Sequence, residues 1–185
     1  MKLLRTNIHD VCIIESFHAV DDRGYFTKTF NKEFYKQLGI NAKVSEVFFS
    51  SSKKNVIRGM HYQCPPYDTT KIISVIKGSI IDVVLDIRRG SPSFGSYVEI
   101  GLTEMDHRSL YVPSGFAHGF LSLQNDTMVC YLQSRGYQAA ADEGIHYASF
   151  GKEWSIHSPT ISVKDNQLPN LYDIQSPFIY LEGEN

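Results

Sequence analysis

Cysteine is scarce in this chain. Cys12, Cys64 and Cys130 are the only three in 185 residues, and no C-x-x-C pair occurs. An odd number at wide spacing argues against a disulfide framework and for free thiols in a reducing compartment. An excess of one charge is also missing: 18 Lys and Arg stand against 20 Asp and Glu, a net charge of −2. A broad basic face for nucleic acid is therefore not expected. No apolar run approaches the roughly 18 residues of a membrane span. The opening M-K-L-L-R-T-N-I-H-D has no long apolar core and no small-residue cleavage site, so it does not read as a signal peptide. These absences predict a cytoplasmic protein without membrane or nucleic-acid partners. No repeat and no low-complexity linker divides the sequence, so residues 1–185 read as one domain. With 42% hydrophobic residues, that length can bury a core without staples.

What is present is mostly strand. One helix is signalled by Asn31 as N-cap, Gly39 at the far end, and Phe30, Phe34 and Leu38 recurring four apart. The rest is short apolar runs: Ile72 to Ile76, Ile80 to Ile87, Tyr97 to Ile100, a run ending at Val112, and runs beginning at His118 and Met128. Gly78, Gly90, Pro92, Gly95, Gly101, Pro113 and Gly115 punctuate them. Short strands at even spacing predict an antiparallel sandwich or barrel. A double-sheet jelly roll of this kind offers a mouth where polar side chains can converge on a small ligand. The segment after Trp154 has little periodicity and could pack across the barrel or reach a partner subunit.

Several segments put reactive side chains in or beside strands. V-I-R-G-M-H-Y-Q-C-P-P, from Val56 to Pro66, carries Arg58 and His61. Strict alternation puts these two on opposite faces, but Gly59 allows an irregularity that could bring both to one pocket. Lys71 begins the next apolar strand. V-P-S-G-F-A-H-G-F, from Val112 to Phe120, feeds His118 into a strand through a Pro-x-Gly turn. C-Y-L-Q-S-R-G-Y carries Tyr131 and Tyr137, and S-V-K-D ends at Asp165. Taken singly, each residue has a structural explanation. A strand histidine is more often structural than catalytic. Tyr131 reads as a core tyrosine with its hydroxyl satisfied, Lys71 as a solvated edge charge, and Asp165 as a turn or cap residue.

A metal centre is not expected. Cupin-type sites need a His-x-His pair, a glutamate and a later histidine. Pro113 to His118 looks like the second cupin motif, but the first fails: His61 is followed by Tyr62 and Gln63. Two histidines without the carboxylate make a poor metal site.

Taken in order, these segments closely resemble the dTDP-4-dehydrorhamnose 3,5-epimerase family. The matching pieces are D-D-R-G-Y-F at Asp21 to Phe26, R-G-M-H-Y-Q-C-P-P at Arg58 to Pro66, and Lys71 at the family's spacing. D-I-R-R-G-S-P-S-F-G at Asp86 to Gly95, V-P-S-G-F-A-H-G-F, and Lys164 with Asp165 complete the set. The resemblance implies an all-β, cupin-like double-stranded jelly roll with a few short helices, dimeric and without a cofactor. It implies epimerisation of a nucleotide-linked 4-keto-6-deoxyhexose, with His61 as base supported by Asp165. Tyr131 would be the acid on the opposite face, and Lys71 would stabilise the enolate oxygen. Arg58 and His118 would line the sugar and diphosphate region, and Lys28, Glu46, Phe48, Tyr137, Glu143 and Lys164 would complete the substrate contacts. Arg23 and Phe26 would reach across the dimer to the partner's nucleotide.

The sequence departs from the family in its substrate contacts. The family's glutamate two residues after the nucleotide-stacking phenylalanine is Lys28. Its Q-D-N segment is Glu46, Val47 and Phe48, the glutamine upstream of the catalytic lysine is Thr69, and its tryptophan-rich stretch is altered around Tyr147 and His157. A glutamate at position 28 can accept from thymine N3–H, whereas a lysine can only donate, as to N3 of cytosine. A CDP-linked 3,6-dideoxy-4-hexulose inverted at one carbon, in an ascarylose-type pathway, is the alternative substrate; the bland alternative is that Lys28 points to solvent. A non-catalytic nucleotide-sugar-binding paralogue is the reading of another class. It would be expected to have lost one of His61, Lys71, Tyr131 and Asp165, and all four are present.

Overall fold

Apolar residues at alternate positions need one buried face, and in this chain most of them find it between two stacked antiparallel sheets. The computed structural model describes residues 2–182. Its strands are β1 (Lys2–Arg5), β2 (Cys12–Glu15), β3 (Phe17–Asp21), β4 (Gly24–Lys28), β5 (Glu46–Ser52), β6 (Ile57–Gln63), β7 (Lys71–Lys77), β8 (Ser79–Asp86), β9 (Tyr97–Thr103), β10 (Arg108–Val112), β11 (Phe116–Ser122), β12 (Thr127–Gln133) and β13 (Asp142–Gly144). The helices are α1 (Lys32–Gln37) and α2 (Val163–Asn166), with two short 3-10 turns. One sheet has six strands in the order β1-β2-β10-β7-β12-β5, and the other has five in the order β13-β6-β11-β8-β9. This is the double-sheet jelly roll expected from the sequence. The hairpin β3–β4 pairs only with itself.

The core has three layers. Between the sheets, Ile73, Ile80, Val84, Leu110, Phe120 and Val129 pack from strands of both. On the outer face of the five-stranded sheet, Met60, Val83, Leu85 and Ala117 meet Ile145, Phe150, Leu171 and Phe178. The aperiodic C-terminal segment therefore packs across the barrel. Strand β8 is buried on both faces, which is why Ile80 to Ile87 is apolar at both parities, interrupted only by Asp82 and Asp86.

On the outer face of the six-stranded sheet, Ile14, Ile72, Cys130 and Leu132 meet Tyr35 of α1. Asn31 caps this helix by accepting from the Phe34 amide at 2.9 Å, an interaction worth about 1 kcal/mol. Gly39 follows with φ 81°. Of the residues recurring four apart, Phe30 and Leu38 pack, partly buried, against this layer. In a helix of only six residues, the fully buried side chain is Tyr35, whose hydroxyl donates to the Thr29 carbonyl at 3.1 Å. Among the described residues, no helix is long and apolar enough to cross a membrane.

Candidate active site

Strand alternation builds the cleft. On β7, Lys71 shares the inward face with Ile73 and Val75, and on β12 Tyr131 and Gln133 share it with Val129. On β11, His118 lies between Phe116 and Phe120, and on β8 Asp82 lies between Ile80 and Val84. The apolar members fill one end of the interior. The polar members line a cleft of about 300 Å³ whose walls include Arg58, His61, Lys71, His118 and Tyr131.

Arg58 and His61 reach this one cleft because β6 is irregular. His118 pairs with His61, but Phe120 pairs with Arg58, so β6 carries one residue more than β11 between the same two rungs. Gly59 makes this possible at φ 127°, where an added Cβ would sit 2.5 Å from Gly119 Cα. Arg58 is then held by Ser52 Oγ at 3.0 Å from Nε and the Ser51 carbonyl at 2.9 Å from Nη2.

His61 and Asp165 form the central pair, with Nε2 to Oδ1 at 2.8 Å. Ser162 caps α2 by accepting from the Asp165 amide at 3.0 Å, and Asp165 Oδ2 accepts from the Gly59 amide at 3.2 Å. Burial works to raise the Asp165 carboxyl. The hydrogen bonds from His61 and Gly59 outweigh it and hold the group below the ordinary carboxylate range.

Lys71 stands on the central strand β7, not at an exposed edge. It is 8% exposed, and its Nζ donates to the His61 carbonyl at 3.0 Å. Burial lowers its pKa to about 8, against the pull of Asp142 and Asp82. Deeper in, His118 Nε2 hydrogen-bonds Asp82 Oδ2 at 3.0 Å, while Asp82 Oδ1, 2.9 Å from the same nitrogen, is buried without a hydrogen-bond partner of its own among the described residues. Asp82 is fully buried, and burial pushes its carboxyl upward despite His118 and Lys71. Tyr131 is buried from the facing sheet, and that burial raises its phenol. At the mouth, Tyr137 Oη and Lys164 Nζ both donate to Asp142 Oδ2. Glu46 accepts from the Tyr137 amide at 2.9 Å.

The structure thus gathers His61, Lys71, Tyr131, Asp165, Arg58, His118, Phe48, Tyr137 and Lys164 at one cleft. It does not bring Glu143 there. In the β13–β6 register Asp142 opposes Gln63, whereas Glu143 opposes Tyr62 and is exposed, so the acidic group in the cleft wall is Asp142. Arg23, Phe26 and Lys28 lie on the exposed hairpin outside the cleft, with Arg23 held by Asp21 Oδ2 at 2.6 Å. Sequence reasoning missed Asp82, Asp142, Gln63 and Gln133. Asp82 had a readable signal, a lone carboxylate inside the apolar run I-I-D-V-V-L. Among the described residues, no three His, Cys, Asp or Glu side chains come together as a metal-binding group.

Comparison with known proteins agrees with this arrangement. Residues 5–173 match the family described as dTDP-4-dehydrorhamnose 3,5-epimerase. An Escherichia coli K12 protein of that name is 38% identical over 178 residues, covering 94% of this chain and 96% of its own. A Legionella pneumophila 3,5-epimerase solved with dTDP-4-keto-L-rhamnose superposes with a TM-score of 0.93 at 33% identity, covering 97% of this chain and 98% of that one. A Bacillus anthracis dTDP-4-dehydrorhamnose 3,5-epimerase solved with TDP and pyrophosphate gives a TM-score of 0.89 at 37% identity, covering 91% and 98%. On the sequence match, the shared architecture and the ordered motifs, this chain belongs to the dTDP-4-dehydrorhamnose 3,5-epimerase family.

Proposed function

We propose that the chain inverts a dTDP-linked 4-keto-6-deoxyhexose at the carbons flanking its ketone, C3 and C5. The observation that carries this reading is two proton carriers in one cleft, from facing sheets: His61 on Asp165, and the buried Tyr131. A proton alpha to a ketone is weakly acidic, and its loss leaves an enolate. With Nε2 engaged by Asp165, His61 has Nδ1 left to take that proton. Asp165 is ionised and supports the imidazolium that forms. The C–H electron pair moves into the enolate, whose oxygen the Lys71 ammonium stabilises. Tyr131 then delivers its proton to the opposite face and the ketone re-forms with inverted configuration. Arg58 and His118 bind the sugar and diphosphate; the guanidinium fork suits paired phosphate oxygens. The substrate's own ketone is the electron sink, so the step calls for no cofactor.

The enzyme works as a single jelly-roll domain in a cytoplasmic homodimer. The hairpin β3–β4 exposes Phe17, Val20, Tyr25 and Phe26, and the edge strand β5 exposes Val47 and Phe49. A lone hairpin is marginal in water, and a second copy would cover this apolar surface. Arg23 and Phe26 then reach the nucleotide in the partner's cleft. Sedimentation equilibrium should give twice the chain mass; a monomer at micromolar concentration would contradict the dimer.

Lys28 motivates a second reading. It ends β4, exposed, on the same hairpin as Arg23 and Phe26, where its ammonium could serve a cytosine ring. The deciding experiment is NMR in deuterated water with dTDP- and CDP-linked 4-keto-6-deoxyglucose and the CDP-linked 3,6-dideoxy ketosugar. Deuterium at C3 and C5 of the dTDP sugar, with inverted product, is the expected result. Deuterium at C5 alone, and only on a CDP sugar, would replace it with the second reading.

A further inference from the structure

The Tyr131 hydroxyl has a weak anchor, the Ser50 hydroxyl at 3.5 Å. A hydrogen bond of that length does little to orient a phenol. Aromatic packing holds the ring instead. Phe48 faces Tyr131 across the β5–β12 ladder, with ring centroids 4.7 Å apart and planes 12° from parallel. His118 meets the Tyr131 ring edge-on at 6.1 Å and 75°. Phe48 is 38% exposed and forms part of the cleft wall. Its neighbours on that face of β5 are Glu46, Ser50 and Ser52, all polar. A large apolar ring in that row contributes little to the core and has one close aromatic partner.

We propose that Phe48 is a positioning residue whose ring fixes the plane of Tyr131 and so sets how often the enolate is reprotonated with inversion. The proposal rests on the epimerase reading and deepens it. The enolate has two proton sources. Return from the His61 imidazolium regenerates the starting configuration. Transfer from Tyr131 breaks its O–H bond, forms the C–H bond on the opposite face and re-forms the ketone; the tyrosinate then regains a proton from solvent. Proton transfer demands hydrogen-bond geometry between donor and acceptor. A Tyr131 ring free to swing would lose inversion and leave proton removal by His61 intact.

The test compares Phe48→Leu, which keeps apolar bulk but removes the ring plane, with Phe48→Tyr, which keeps the ring. With dTDP-4-keto-6-deoxyglucose in deuterated water, total deuterium incorporation and inverted product are followed in the same NMR series. For Phe48→Leu, the ratio of inverted product to total deuterium incorporated should fall about ten-fold or more. Phe48→Tyr should recover inversion. A parallel fall of both rates, or no change in either, would overturn the proposal. If the unsubstituted enzyme neither exchanges nor inverts, it is the epimerase reading that fails. The positioning claim is then decided by the Tyr131 ring-flip rate in labelled protein, assigned by its loss in Tyr131→Phe. Faster flipping in Phe48→Leu supports it, and an unchanged rate overturns it.

Discussion

Lys71 is an ammonium buried on a central strand, where its Nζ donates to the His61 carbonyl. Burial lowers its pKa from 10.5 to about 8. Below about pH 8 the group is charged in both folded and unfolded chains, and the cost of burying it, on the order of 3 kcal/mol, is fully present. Between about 8 and 10.5 the unfolded chain holds the proton more tightly, so stability should rise with pH. Activity should do the opposite, because in the proposed mechanism the enolate oxygen needs the ammonium. The turnover rate should fall as pH rises through about 8. Lys71→Met should lose roughly 100-fold in turnover and remove that alkaline limb. Paired urea melts and rate profiles of the two proteins check this; a limb that survives in Lys71→Met would assign it to another group. The residue's setting was only half legible. Lys71 as a solvated edge charge is the common case, but sharing a face with Ile73 and Val75 makes it an inward group.

The bulge in β6 is the element on which the site depends. Without it, Arg58 and His61 would lie on opposite faces of one strand. Gly59 holds φ 127° with its Cα close against Gly119. Gly59→Ala adds strain at a positive φ and a clash with backbone, which should cost about 3 kcal/mol. It should also lower turnover more than Tm alone explains, since the surviving fold would misalign the two side chains. Thermal melts with rates measured well below Tm separate the two effects; full activity in a normally stable Gly59→Ala protein would contradict this account. This irregularity was legible, because a glycine between two polar residues of wrong parity is itself the signal. The β13 register was not legible. A strand of three residues carries no periodicity, so nothing local distinguished Asp142 from Glu143. Asp82 was legible as a carboxylate inside an otherwise apolar strand buried on both faces, although nothing local names His118 as its partner.

At the scale of the whole molecule, the two sheets and the C-terminal segment bring together groups far apart in the chain. His61 and Asp165 are separated by 104 residues. Their contact depends on the C-terminal segment packing over the five-stranded sheet through Leu171 and Phe178. No local pattern announces it, and only the ordered likeness to a family paired the two in advance. Tyr131 lies on the sheet opposite His61, and inversion requires a proton acceptor on one face of the sugar and a proton donor on the other. The most direct measurement of that claim follows His61→Asn and Tyr131→Phe by NMR in deuterated water with dTDP-4-keto-6-deoxyglucose. His61→Asn should bind the nucleotide sugar and incorporate no deuterium, while Tyr131→Phe should incorporate deuterium with little inverted product. Undiminished inversion by Tyr131→Phe, or exchange retained in His61→Asn, would contradict the account.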